Sequence, residues 1–286
     1  MKRIILVLAL MGLAACSSTP TKESKTDSAA ANEKVTEAPV IEKDVDVPSA
    51  ASEAVPEKPK APAVPSQYAP LNEAIKAQSD DRIYSAATQI LTQSPNDAKA
   101  LNALSMYHYK KGRFELSRYL LGKAISANPK MGELYSNLGI VQLAQNERRE
   151  AVKSFRKALD INSDDPVAAA NLGAIYVQEK DYNKASVVLE TAYRKGVRDP
   201  RVLNNYAIAL GATGKLDKAD ELYKSILKDN ANNKEAMYNY AILLVDRMGK
   251  YQEGLDVINR LKFVGGPSDT RNRIIALENK AKAGLK

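Results

Sequence analysis

The chain has 286 residues, of which 44% are hydrophobic, 27% charged and 6% aromatic, enough for one or two ordinary domains and too polar for a multi-span membrane protein. One Cys, one His and no Trp exclude a disulfide framework, a Cys/His zinc site and most Cys-His nucleophile arrangements. The formal charge of +8 points to an acidic partner only where it belongs to a folded part of the chain.

Met1-Lys2-Arg3 gives a positive start, Ile4 to Met11 is an unbroken apolar run, and Leu13-Ala14-Ala15-Cys16 follows. The run is too short for a permanent membrane span and reads as a secretory signal over residues 1–15. Small residues ahead of the chain's only Cys resemble the lipobox of a bacterial lipoprotein. That resemblance implies lipidation at the Cys16 thiol, cleavage before Cys16 and acylation of the new amino group. Several acyl chains make a stable anchor where one is marginal. Ser17 and Ser18 stand where Asp favours inner-membrane retention in the enterobacterial family, so the expected site is the outer membrane, facing the periplasm. An ordinary cleaved signal with a chance Cys is the alternative.

Residues 16–66 read as a tether. From Ser17 to Ser66 there are seven prolines, no glycine and no aromatic residue, a composition that cannot bury enough apolar surface to order itself. In polyproline II geometry its 50 residues reach at most about 155 Å. It serves either as a spacer that carries the next domain off the membrane or as a filler linker. It carries six Lys against nine Asp or Glu and the signal carries Lys2 and Arg3, which leaves residues 67–286 at +9. An exported chain rarely meets nucleic acid, so acidic proteins, lipid headgroups or wall polymers are the expected partners, with scattered solvated Lys as the plain alternative.

Residues 67–97 read as a divergent helix pair broken around Ser79-Asp80-Asp81. Beyond it, Ser105, Gly139, Gly173, Ala207 and Ala241 fall 34 residues apart, each preceded by a large residue: Leu104, Leu138, Leu172, Tyr206 and Tyr240. A second small column runs through Ser117, Ala151, Ala185 and Ala219, a large one through Leu121, Phe155, Leu189 and Tyr223, and a third small one through Ala124, Ala158 and Ala192. A period of 34 is the signature of a helix-turn-helix solenoid, here five units at 98–131, 132–165, 166–199, 200–233 and 234–267. Small residues let paired helices approach while a large residue from the facing helix fills the gap. Asp165-Pro166 and Asp199-Pro200 supply N-caps before a first-turn proline, and Gly112 and Gly214 mark inter-helix turns. The fifth unit carries one extra residue near Arg247-Met248-Gly249, with Gly254 in place of Ala. Residues 268–286 read as a capping helix with Ile274, Ile275 and Leu277 on its apolar side.

The pattern of Leu-Gly, then Ala, then an aromatic, then Pro over residues 98–267 resembles the tetratricopeptide repeat. The resemblance implies an all-α fold, a right-handed superhelix whose first helices line a concave groove. Counting places from the start of each unit, places 4, 7, 8 and 11 are expected against the unit's own second helix, with places 2, 5, 6, 9, 12 and 13 on the opposite, open face. Place 6 is Asn137, Asn171, Asn205 and Asn239, with Asn102 and Asn204 at place 5 and Ile140, Ile208 and Ile242 at place 9. Amides offer a donor and an acceptor to an extended peptide backbone, and the aliphatic column offers a floor for its side chains. The other reading is that Asn is simply the commonest place-6 residue of the family, inherited as scaffold. Lys99 and Arg201 at place 2 share their column with Glu133 and Glu235, so a clamp for a terminal carboxylate is not expected.

No cofactor, metal or small-molecule substrate is expected. His108 reads as a packed histidine, Gly211 to Leu216 as an inter-helix turn despite its faint likeness to a phosphate loop, and Asp164-Asp165 as helix capping. Signal, tether and repeat number together resemble tetratricopeptide lipoproteins of type IV or tight-adherence pilus assembly, including pilotins, and of gliding motility. The implied function is a non-enzymatic, membrane-anchored scaffold for protein subunits of an envelope machine. The alternative is an adaptor that recruits peptidoglycan hydrolases or synthases to the wall.

Overall fold

The computed structural model describes residues 66–286. The signal, Cys16 and the tether lie outside the described residues. The rest is helical: after a short 3-10 turn, α1 (Ala69–Lys76) and α2 (Asp80–Gln93) precede five pairs, α3 (Ala98–Lys110) with α4 (Phe114–Ala127), α5 (Gly132–Ala144) with α6 (Arg148–Ile161), α7 (Pro166–Gln178) with α8 (Tyr182–Arg194), α9 (Pro200–Ala212) with α10 (Leu216–Asp229), and α11 (Lys234–Ile242) with α12 (Tyr251–Val264). A last helix, α13 (Arg271–Gly284), closes the stack.

Each pair is held by the small-against-large columns. A Cβ placed on Gly139 would lie 2.6 Å from the Phe155 ring, and one on Gly173 would lie 2.3 Å from Leu189 Cγ. Phe155 and Leu189 are wholly buried, as are Ala151, Ala158, Ala185 and Ala192. In the first full unit the same crossing is polar, with Ser105 Oγ 2.8 Å from Ser117 Oγ, so neither buried hydroxyl is left without a partner.

Helix starts recur with the same period. Asp97, Asp165, Asp199 and Asn233 each accept a backbone N–H of the first turn, while Met131, at the equivalent point of the second full unit, makes no side-chain cap. Turns between paired helices pass through a left-handed residue at Gln78, Gly112, Asn146, Lys180 and Gly214, all 34 residues apart. Gln78 puts α1 and α2 in register with the repeats, although α1 has only 8 residues. In the last unit the left-handed turn falls one residue late, at Gly249. The extra residue is absorbed by a π-helical turn, Leu243–Met248, which widens the helix by one residue and lets α12 start on the normal turn.

Burial extends one expectation and corrects another. Places 3 and 10 of the first helices are also interior: Ala100, Leu134, Ala168, Val202 and Ala236, with Val141, Ile175, Ala209 and Leu243. Each first helix is therefore enclosed by its own partner and by the neighbouring units, and α5 and α7 carry apolar residues around much of their circumference. In α13, Ile274 and Leu277 are buried, but Ile275 is 45% exposed. With no second helix of its own, α13 is covered on one side only.

Candidate functional site: the inner face of the first helices

Successive first helices touch one another, α3 with α5, α5 with α7, α7 with α9 and α9 with α11. They form the inner layer of the stack, and the expected asparagine column lies along it. Its members are less open than helical periodicity implies. Asn102 is 6% exposed, Asn171 4% and Ile140 4%, because the adjoining first helix covers them. Asn137, Asn204, Asn205, Asn239, Ile208 and Ile242 are half-buried.

The amides bond mainly to one another. Asn137 Nδ2 donates to Asn102 Oδ1 at 2.8 Å, and Asn102 Nδ2 lies 3.4 Å from Glu133 Oε1. The carboxylate can only accept, which fixes the direction of the chain Asn137 to Asn102 to Glu133. Asn239 Nδ2 donates to Asn204 Oδ1 at 3.1 Å, and Asn171 Nδ2 donates to Val167 O, one turn back, at 2.9 Å. Asn205 makes no side-chain hydrogen bond among the described residues. Both amide pairs are 35 residues apart, joining place 5 of one unit to place 6 of the next. That spacing was present in the sequence and is the signal that would have found them. In the second full unit place 5 is Ser136, whose Oγ donates to the capping Asp165 Oδ2 at 2.6 Å, leaving Asn171 to its own helix.

Asn137, Asn171 and Asn239 thus each spend one amide donor inside the fold and Asn102 and Asn204 each spend their carbonyl oxygen, while Asn205 spends neither. Part of the donor and acceptor capacity expected from the sequence is therefore used within the solenoid, and among the described residues Asn205 keeps both. The apolar floor is interrupted, because Ile140 belongs to the core while Ile208 and Ile242 remain accessible. Charge along the inner edge is mixed. Lys99 Nζ sits 4.6 Å above the Tyr68 ring, and Arg201 is bonded to the Asp199 carboxylate.

His108 is buried against Tyr84 and Tyr107, its ring 5.1 Å from that of Tyr107. Burial, with the Arg113 charge, pushes its pKa down. This is a packed, neutral imidazole. Among the described residues, no group of three His, Cys, Asp or Glu side chains stands close enough to hold a metal ion. A polar knot absent from the sequence reading joins the fourth and fifth units, where Asp220 accepts from Tyr240 Oη and Lys224 Nζ, each at 2.6 Å.

Tetratricopeptide-repeat profiles match residues 142–207 and 204–269. A TPR repeat-containing protein of Dictyostelium discoideum is 25% identical over 139 residues, 46% of this chain and 53% of that protein. Type IV pilus assembly protein PilF of Pseudomonas aeruginosa is 24% identical over 115 residues, 40% of this chain and 46% of that protein. The chain spans about half the length of these two relatives. Among solved structures, YrrB, a TPR protein with an unusual peptide-binding site, is similar with a TM-score of 0.58 at 18% identity, over 70% of this chain and 99% of that chain. Residues 142–269 therefore carry tetratricopeptide repeats, and the described part of the chain folds as an all-α tetratricopeptide-repeat solenoid.

Proposed function

We propose that this chain is a non-enzymatic scaffold, held in the cell envelope by lipidated Cys16 and the 16–66 tether, whose inner face holds extended segments of partner proteins. Tetratricopeptide repeats mediate protein–protein interaction, and their fold is typically non-catalytic. The observation that carries the reading is the inner layer of touching first helices, with half-buried Asn137, Asn205 and Asn239 at place 6 of their units beside Ile208 and Ile242. Amide groups not used in the internal pairing suit the backbone N–H and C=O groups of a segment lying across the helices, and the aliphatic residues suit its alternate side chains.

The machine served is proposed to be one of pilus, secretion or motility assembly at the outer membrane. Its support is the likeness to a type IV pilus assembly protein. Mild crosslinking in cells, followed by recovery of the full chain, tests it. A pilus, secretion or motility subunit is expected, and recovery falls with Asn205→Ala by about fivefold, the worth of one hydrogen bond. Recovery of peptidoglycan hydrolases or synthases alone would move the chain to the wall-adaptor reading, and a partner indifferent to Asn205 would remove the inner face from recognition.

A further inference from the structure

The end of the solenoid formed by α12 and α13 differs from the rest. From the start of α12, residues 251–286 hold seven Lys or Arg against Glu253, Asp256, Asp269 and Glu278, a net +3 within the +9 of residues 67–286, and Lys280 is paired with Asp246 of the preceding unit. The Glu278 carboxylate is already taken by Lys262 Nζ at 2.8 Å and Lys282 Nζ at 2.6 Å. Arg271 and Arg273 are exposed and make no ion pair or side-chain hydrogen bond among the described residues. The two helices run antiparallel: a Cβ on Gly266 would meet Ile274, while one on Gly284 would meet the Tyr251 ring at the far end. The connected end of the pair therefore carries Phe263, 91% exposed, in the last turn of α12, and Arg271, Arg273 and Ile275 in the first turns of α13, with exposed Asp269 in the link between them.

A nearly bare aromatic ring contributes nothing to the core, and this one stands at the same end of the helix pair as two arginines unpaired among the described residues. We propose that the α12–α13 turn docks on a phospholipid surface bearing anionic headgroups, with Phe263 entering the interface and Arg271 and Arg273 meeting headgroup phosphates. Charge and shape together favour lipid over an acidic protein. A protein partner needs a matching apolar patch, whereas the turn offers one projecting ring and one half-exposed isoleucine. A fluid interface accepts a lone ring without a shaped pocket, and basic residues beside it gain from the anionic surface potential. The surface hollows of about 580 and 570 Å³ lie elsewhere, against α4.

The chain has no Trp, so Phe263→Trp in the full chain places its one tryptophan at the site, selectively excited apart from the tyrosines. Titration with vesicles of phosphatidylethanolamine and phosphatidylglycerol is expected to shift its emission to the blue, and vesicles of phosphatidylcholine are expected to leave it water-like. Adding Arg271→Glu and Arg273→Glu should weaken the apparent vesicle affinity by at least about tenfold. Val187→Trp on α8, at a site 67% exposed, should stay water-like in both. Whatever residues 1–16 contribute to vesicle binding is common to both reporters. Equal shifts with neutral and anionic vesicles, no shift at position 263, or a shift produced by polyglutamate and not by vesicles would overturn the proposal. Should the charge reversals unfold α13, the single Phe263→Trp reporter decides through its salt dependence. The shift must shrink from about 0.05 to about 0.5 M NaCl, as the Debye length falls about threefold.

Discussion

Gly173 and Gly122 separate a glycine required by packing from one that is not. Both stand inside helices, so replacement by Ala brings the same intrinsic gain of about 1 kcal/mol at each. At Gly122, in α4, the new Cβ meets nothing within 4 Å, so Gly122→Ala is expected to stabilise the fold by that amount and raise Tm by about 2 to 4 °C. At Gly173 the Cβ would sit 2.3 Å from Leu189 Cγ and 2.6 Å from Cδ2, where carbon pairs normally rest at about 3.5 to 4.0 Å. Leu189 is wholly buried and the clash is at its branch carbon, so it has no free end to swing away. Overfilling such a site costs about 3 kcal/mol, the upper part of the usual range. The net is a loss of about 2 kcal/mol and a fall in Tm of about 4 to 8 °C. Urea titrations followed by circular dichroism measure both variants against the parent chain. If Gly173→Ala stabilises as Gly122→Ala does, the close crossing of α7 and α8 is not what keeps that position a glycine.

Asn137→Ala breaks the inter-unit amide bond and leaves the buried Asn102 Oδ1 without its donor, so a loss of about 1 kcal/mol is expected in urea denaturation. Asn205→Ala should stay within about 0.5 kcal/mol of the parent. Equal effects would mean that the amide pairing does not contribute. Lys180 holds a left-handed turn at φ 61°, a conformation that costs a side-chain-bearing residue about 1 kcal/mol, so Lys180→Gly should raise stability by about 0.5 to 1 kcal/mol. A destabilised variant would show that the Lys180 side chain outweighs the backbone cost. For Asp220, burial pushes the carboxyl up, but hydrogen bonds from Lys224 and Tyr240 outweigh it and hold the pKa below the ordinary carboxylate value. A carboxyl depressed in the fold stabilises above its unfolded pKa of about 4 and loses that contribution as pH falls through the folded value. Acid unfolding of Asp220→Asn should therefore depend less on pH below about 4 than that of the parent. An unchanged slope would exclude Asp220 as a contributor.

What was readable from sequence was whatever repeats. The 34-residue spacing, the small-against-large columns and the Asp-Pro helix starts place every helix pair from α3 to α10. The reading failed where neighbouring units matter more than periodicity within one helix. Periodicity within one helix gave places 3 and 10 to neither face, yet adjacent first helices bury them, and the same helices bury Asn102, Asn171 and Ile140, which it placed on the open face. Ile275 was assigned to the core of α13 by its apolar character, but a terminal helix has only one side to bury. The extra residue in the fifth unit was visible as a slip of register, and α12 does start one residue late, at Tyr251; that a π-helical turn takes up the slip depends on the backbone finding room after α11. The amide pairs follow from a spacing of 35, one more than the period, which has no meaning until first helices are known to lie side by side.

The claim that the inner face binds protein segments meets its most direct test in a photo-crosslinking residue placed at one of two positions in the full chain in living cells. Asn205, on α9, belongs to the inner layer and has no side-chain hydrogen bond to lose among the described residues. Val187, on α8, is exposed on a second helix away from that layer. Illumination should yield a protein adduct from position 205 and none from 187. Adducts from 187 alone would place recognition on the outer helices and leave the asparagine column to the internal pairing of the solenoid.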